Sequence, residues 1–310
     1  MRIVVTGGSG RLGRTVVSTL ARADHEVVSA DRAPAPDVAD GVREVAVDLT
    51  DHDATVDLFE KERPEAVVHL AAIAVPFSAP EDVILRTNTA MAWNVLEAAP
   101  AAGATRILAA SSPTVIGYGA PHGWSPARLP LDETHPVAPW NAYSLSKLVI
   151  EETVAMAARR DGERVRYGVF RPCFVVSPEE WSGAPTQQGH TIAHRLAHPE
   201  DAAVSLFNYI DARDAAEFVE AWLAGADTVP NGTTFFVGAD DALADAPLAE
   251  LLPRFLPGSE TAAAALRGDA PAFSSRLAAD LLGWRPRRRW RDELATATPT
   301  DTTPTESSRA

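Results

Sequence analysis

The 310-residue chain is long enough for one large α/β domain, or for a main domain with a smaller lobe. Its 42 acidic against 28 basic side chains leave a formal net charge of −14, which disfavours contact with a phosphate backbone and excludes nucleic acid as an expected partner. One cysteine, Cys173, cannot form an internal disulfide, no apolar run reaches membrane-spanning length, and "MRIVVTGGSGRLG" runs at once into a strand, so a reducing cytoplasm is the expected compartment.

"RIVVTGG" reads as a buried parallel strand and Leu12 to Arg22 as the helix after it. "EVVSAD" is a second strand ending at Asp31, "VREVAVD" a third ending at Asp48, and "AVVHLAA" a fourth, after a helix around Asp53 to Lys61. A helix from about Val83 to Ala98 precedes the strand "ATRILAASS". Strands alternating with helices predict a Rossmann-type doubly wound parallel sheet of the α/β class. A Pro- and Gly-rich loop from Gly117 to Pro139 leads to a helix over residues 141–158, then the strand "RVRYGVFRP". Beyond it periodicity fails, and the segment 178–200 has the composition of a substrate cover. "ARDAAEFVEAWLAG" is a helix beginning near Asp211 to Asp214, and "GTTFFVG" a strand. "SSRLAADLLGWRPRRRWRDELA" gives two short helices broken at Gly283 and Pro286. The expected division is a dinucleotide-binding core over 1–170, a mixed segment over 171–296 that completes the core and forms a small substrate lobe, and a disordered tail over 297–310.

"TGGSGRLG" sets Gly7, Gly10 and Gly13 between a strand and a helix, where side chains would keep a pyrophosphate from the backbone N–H groups and the positive helix end. Asp31 follows about 20 residues later at a strand end, where a carboxylate accepts from a ribose and repels a 2′-phosphate. That favours NAD, although Arg32 could meet such a phosphate if it turned inward. Asp48 is placed to meet the adenine amino group, or is a plain strand-end carboxylate. No GxxxxGK[ST] occurs, so a nucleotide triphosphatase has no support.

In "WNAYSLSKLVIEE", Tyr143 and Lys147 stand four apart and share a helix face. A phenol with a reference pKa near 10 needs a neighbouring ammonium to act as a base at neutral pH, and Lys147 supplies one. Ser111 and Ser112 end a strand aimed at the same edge. A structural strand-end hydrogen bond or cap is expected of Ser111, and a hydroxyl for the substrate oxygen of Ser112.

Together these motifs resemble the extended short-chain dehydrogenase/reductase superfamily, the NAD-dependent epimerase/dehydratase family, from residue 2 to about 296. "TGGSGRLG" is similar to its TGxxGxxG, "YSLSK" to its YxxxK, and "LLGWRP" to its C-terminal signature. The resemblance implies NAD as cofactor, held by Gly7, Gly10, Arg11, Leu12, Gly13, Asp31, Arg32, Asp48, Leu49, Leu70, Ala71, Ala72, Asn88, Tyr143 and Lys147. It implies Ser112, Tyr143 and Lys147 as the catalytic set. It also implies a homodimer through the helices 83–98 and 141–158, with Ala90, Met91, Trp93, Val149 and Ile150 as apolar surface, unless these residues face the sheet.

The chain departs from the family pattern at informative places. Pro113 and Thr114 stand where dehydratases carry Asp-Glu, which removes the acid that would protonate a leaving hydroxyl. Phe174 replaces an asparagine that meets a nucleotide-sugar pyrophosphate, and the "VYG" tyrosine is Ile116, with Tyr118 two residues on. Where uronate dehydrogenases carry an arginine, "VSLFNYID" offers Asn208 and Tyr209. The expected substrate is therefore a small sugar, polyol, sugar acid or secondary metabolite, met by Ser112, Pro113, Thr114, Tyr143, Arg171, Phe174, His190 and Asn208. Arg171 and His190 are the candidates for a substrate anion. The runner-up is a nucleotide-sugar epimerase with tightly bound NAD.

His190, His194 and His198 recur at four-residue intervals, but no acidic or cysteine ligand with metal-like spacing accompanies them, and no metal is expected. "WRPRRRW" at 284–290 reads as a helix-end patch or a tether for the C-terminal segment.

Overall fold

Alternation along the strands decides how the layers pack. In β1 (Arg2–Thr6), Ile3 and Val5 join one apolar cluster and Val4 the other, and all three are fully buried. The computed structural model describes residues 1–35 and 39–297. In chain order β1 is followed by α1 (Arg11–Arg22), β2 (Glu26–Asp31), β3 (Arg43–Ala46), α2 (His52–Glu62), β4 (Ala66–His69), α3 (Glu81–Ala101) and β5 (Arg106–Ala110). A 3-10 turn (Pro113–Ile116), α4 (Ala142–Asp161), β6 (Arg166–Pro172), β7 (Val175–Val176), α5 (Pro178–Trp181), α6 (Ile192–Ala197), α7 (Pro199–Ala203) and β8 (Ile210–Asp211) come next. The chain then forms α8 (Ala212–Gly225), β9 (Thr233–Val237), α9 (Leu248–Phe255), α10 (Glu260–Ala263), α11 (Arg276–Leu282) and α12 (Trp290–Ala297).

Seven parallel strands lie in the order β3-β2-β1-β4-β5-β6-β9. This is the Rossmann-type doubly wound sheet. On one face Ile3, Val68, Leu108 and Phe170 pack against Val16 and Leu20 of α1 and Phe218 and Trp222 of α8. On the other, Val4, Val28, Val67 and Ile107 pack against Phe59 of α2, Val95 of α3 and Val154 of α4. The chain leaves β1 for β2 and β3, then crosses back to β4, so a crevice opens at the carboxyl ends of β1 and β4.

Several boundaries differ from the sequence expectation. The third strand ends at Ala46 and not Asp48: Val47 N still donates to Asp31 O at 2.8 Å, but Asp48 turns away to receive Thr50. Helix α3 is longer at both ends, Glu81–Ala101, and tolerates Pro100 near its C-terminus. Periodicity missed α5, α6, α7, α9 and α10, each of eight residues or fewer. Residues 298–310, most of the expected disordered tail, lie outside the described residues.

The basic cluster is a tether. Asp214 in α8 receives the backbone N–H groups of Arg287 and Arg288 at 3.0 and 2.9 Å and pairs with the Arg288 guanidinium, while Glu217 takes a second bond from Arg288 at 3.0 Å. Trp290 N then donates to the Tyr209 hydroxyl at 2.9 Å.

Candidate active site

The crevice is a cleft of about 1120 Å³. At one end stands the glycine turn, and its three glycines serve different needs. Gly7 has φ +72°, and a Cβ there would lie 2.7 Å from Ala71 N; at Gly13 a Cβ would lie 2.1 Å from Gly7 O. Both positions are demanded by the protein's own packing. At Gly10 a Cβ would meet only Gly7 O, at 3.2 Å, so the missing side chain there keeps the cleft open. Gly10 also caps α1 without a side-chain acceptor, and the first turn holds no acidic residue. The leading N–H groups of a 12-residue helix are thus left for an anion.

Asp31 and Arg32 line the cleft at the end of β2; the Asp31 carboxylate accepts from Ser9 N at 3.1 Å and Arg32 N at 2.7 Å. Asp48 Oδ1 accepts from the N–H and hydroxyl of Thr50, at 2.9 and 2.7 Å, which holds its pKa below the ordinary value. Asp48 is thus both a turn acceptor and a cleft residue. Arg11, Leu12, Leu49, Leu70, Ala71 and Ala72 also line this part of the cleft. These features fit a dinucleotide: a glycine turn with free N–H groups, an acidic strand end and an apolar floor.

Asn88 does not line the cleft. It is fully buried in α3, where it accepts from Ile73 N at 2.8 Å and donates to Ile73 O and to Ser146 Oγ at 3.2 and 3.0 Å. Its place is behind the loop after β4, holding Ile73 against α4.

Asn141 caps α4 by accepting from Ser144 N at 2.9 Å, which starts the helix so that Tyr143 and Lys147 face the cleft one turn apart. Ser112, Pro113 and Thr114 line it from the end of β5. Both α4 side chains are buried, Tyr143 at 8% and Lys147 at 3% exposure. Lys147 Nζ donates to Ala110 O at 2.8 Å and lies 5.9 Å from the Tyr143 ring centre. Burial lowers the Lys147 pKa to about 8, with Glu151 opposing the drop. The Tyr143 phenol is pushed up by burial, and its hydrogen bond with Ser112 pulls the other way. Ser112 and the Lys147 ammonium are thus the two groups beside the phenol that can favour the phenolate.

Ser111 makes a structural hydrogen bond at the strand end, and Ser112 adds a capping role to its place in the cleft. Ser112 caps the 3-10 turn, accepting from Thr114 N at 3.3 Å and Thr114 Oγ1 at 3.0 Å, while also facing Tyr143. Ser111 donates to Glu151. Glu151 is the residue that sequence reasoning missed, and the signal was its position four residues after Lys147, one further turn on the same helix face. It receives Arg171 Nε and Nη2 at 2.8 and 2.7 Å, with the Arg171 side chain 5% exposed.

Arg171 is therefore committed to Glu151 and stacked on Phe236 at 5.0 Å, outside the cleft lining, so the structure does not offer it to a substrate anion. His190 is also absent from the lining; it packs 5.3 Å from the His194 ring. Phe174 and Asn208 do line the cleft. The Asn208 amide is used internally, accepting from Phe174 N at 2.8 Å and donating to Ser205 O, so it braces the wall. Across the cleft, Arg11 pairs with the buried Glu180 of α5, and Arg14 with Glu179 at 2.8 Å, tying the cover segment to α1.

His194 and His198 stack at 4.0 Å, and among the described residues no group of three or more His, Cys, Asp or Glu side chains converges on a metal position. Of the residues with apolar dimer potential, Met91 lines the cleft and Ile150 is buried in the core. Trp93 and Val149 remain 49% and 37% exposed, joined by Leu145.

Residues 3–238 match the model of the NAD dependent epimerase/dehydratase family. The chain is 32% identical over 250 residues to a 2′-dehydrokanamycin reductase of Streptomyces kanamyceticus, covering 74% of this chain and 63% of that protein. It is 33% identical to a UDP-glucose 4-epimerase of Azospirillum brasilense, over 53% of this chain and 46% of the relative. In both cases it spans less than two thirds of the relative's length. An L-arabinose 1-dehydrogenase of Haloferax volcanii is 34% identical over 53% of this chain and 64% of its own. A crystal structure of a short-chain dehydrogenase/reductase superfamily protein from Agrobacterium tumefaciens, with bound NAD, superposes with a TM-score of 0.70 at 25% identity, covering 96% of each chain.

Proposed function

The chain belongs to the NAD-dependent epimerase/dehydratase family, and from that premise we propose that it is an oxidoreductase that moves hydride between NAD and a hydroxyl-bearing carbon of a small sugar, polyol, sugar acid or secondary metabolite. Similarity to reductases and to a dehydrogenase supports this reading. The observation that carries it is the meeting of Ser112, Tyr143 and Lys147 in the same cleft as the open glycine turn.

NAD bound there supplies the hydride acceptor or donor. The glycine turn and the α1 N–H groups would hold its pyrophosphate, and Asp31 its ribose. Lys147, anchored by Ala110 O, presents its ammonium beside Tyr143. Tyr143 takes the proton of the substrate hydroxyl on oxidation and returns it on reduction, while Ser112 hydrogen-bonds the substrate oxygen and the phenol. Among the described residues, the carboxylates lining the cleft are Asp31 and Asp48, and Pro113 and Thr114 follow the catalytic serine. That disfavours elimination of water, which needs an acid at the leaving hydroxyl.

Epimerisation of a nucleotide sugar is the second reading, favoured by the similarity to UDP-glucose 4-epimerases. The purified protein separates the two. Absorbance growing at 340 nm when NAD is added with a panel of sugars, polyols and sugar acids supports net oxidation. Co-purified NAD with no net reduction supports epimerisation. Neither result, together with a Tyr143→Phe variant of unchanged cellular function, removes both.

We read residues 171–296 as the segment that completes the core and builds the substrate lobe. Trp93, Leu145 and Val149 form an exposed apolar strip on α3 and α4, which supports a homodimer through these helices. Light scattering of a Trp93→Asp variant tests it: a mass unchanged from the parent removes the proposal. No helix among the described residues is long and apolar enough to cross a membrane, and the lone buried cysteine suits a reducing cytoplasm.

A further inference from the structure

Arg195 in α6 is a buried cation without a carboxylate partner. Its side chain is fully buried, and it forms no ion pair among the described residues. The guanidinium donates from Nη1 to Gln188 Oε1 and from Nη2 to Ser205 Oγ, both at 2.6 Å, and lies 4.3 Å from the centre of the Phe174 ring. Nε has no acceptor. Asp201 influences it but is bonded to His194 at 3.3 Å. Burial lowers the Arg195 pKa to about 10, which leaves it charged at neutral pH. An uncompensated buried charge costs several kcal/mol, and folding alone gives no reason to keep one.

Its place gives the reason. Gln188, Ser205 and Phe174 all line the cleft, so the cation stands directly behind that wall. Phe174 lies just past the carboxyl end of β6, which pairs with β5, and β5 leads into Ser111 and Ser112, so this wall belongs to the reacting end. A guanidinium has donors only, hence Gln188 must turn Oε1 toward it and keep its NH2 group for another partner. Ser205 passes its own proton to Ala202 O at 3.1 Å. The carboxylates that line the cleft, Asp31 and Asp48, belong to the opposite end, at β2 and β3.

We propose that Arg195, acting through Gln188, makes the reacting end of the cleft an anion receptor, and that the substrate carries a carboxylate or phosphate group away from its reacting carbon. Gln188 gives the direct contact; Arg195 is a positioning residue that orients the amide and adds positive potential. The proposal rests on the hydride-transfer reading for the word substrate, but its binding site is tested without turnover.

The test is calorimetric titration of the NAD-loaded protein with tartrate, glycerol 3-phosphate and glycerol. At least one anion is expected to bind tenfold or more tighter than glycerol; tartrate ahead indicates a carboxylate, glycerol 3-phosphate ahead a phosphate. Arg195→Met should erase that preference, Arg195→Lys should retain most of it, and NAD affinity should stay unchanged in both. Gln188→Leu, at an exposed position, should weaken the anion alone and decides the matter if Arg195→Met fails to fold. Neither anion binding, glycerol binding as tightly as both, or a preference that survives Gln188→Leu would overturn the proposal. Anion binding lost in these variants, with no compound of the sugar panel oxidised or epimerised, would leave the receptor standing and remove the enzymatic reading.

Discussion

Replacing Glu151 by Gln tests how Lys147 is supported in the cleft. The carboxylate receives two charge-assisted bonds from Arg171, receives Ser111, and raises the Lys147 pKa against burial. The amide keeps one acceptor but leaves a guanidinium whose side chain is 5% exposed, and whose Nη1 already has no partner, without its counter-charge. Removing one partner of such a buried pair costs about 3–5 kcal/mol. At about 2 °C per kcal/mol for a chain of this size, the melting midpoint should fall by about 6–10 °C. Lys147 would lose the charge that opposes its drop, so its pKa should move below about 8. The pH at which activity falls, as the ammonium deprotonates, should move to lower pH. A Glu151→Gln/Arg171→Met double variant should recover much of the stability, because no charge is left unpaired, while its pH profile stays shifted. Thermal melts and pH–rate profiles of the three proteins give the readout. A single variant that melts within 1 °C of the parent, or a double variant that regains the parental pH profile, would refute the reasoning.

Lys147→Met should abolish hydride transfer yet stabilise the fold at pH 7, since the drop in pKa from 10.5 to about 8 corresponds to about 3 kcal/mol of burial penalty. That penalty is present in full below pH 8 and disappears as pH rises to 10.5, so the gain seen in urea melts should fade at high pH. Gly10→Ala and Gly13→Ala should differ: the first leaves the melting point near the parent and weakens NAD binding, whereas the second drives a Cβ to 2.1 Å from Gly7 O and lowers both. Equal effects on the two measurements in both variants contradict the assignment of Gly10 to the ligand. Asp31→Ser should narrow the preference for NAD over NADP roughly tenfold or more, about 1.4 kcal/mol, measured as the ratio of dissociation constants; an unchanged ratio removes Asp31 from the ribose.

Much of the site was legible because its signals are local. The glycine turn needs backbone room within one strand–helix junction, and Tyr143 and Lys147 need only one helical turn to share a face. Residues acting across the fold were harder to place. Arg171 read as a candidate for a substrate anion because nothing in "RVRYGVFRP" tells that β6 sets it opposite Glu151 of α4. Asn88 read as a cofactor contact, and the structure puts it one layer back, on the Ile73 backbone. The short helices between β7 and β8 carry too few turns for a periodic pattern to emerge.

Local chemistry in the chain thus determined the parallel α/β sheet, the phosphate-sized turn and the tyrosine–lysine pair, since each depends on neighbours within a few residues. Only the tertiary structure decided which charges are spent and which are held in reserve. Arg171 is cancelled by Glu151 from another element, whereas Arg195 is buried among neutral groups behind the cleft wall. The physical reason is that a charge acquires its meaning from whatever shares its low-dielectric surroundings, and those partners come from distant parts of the chain.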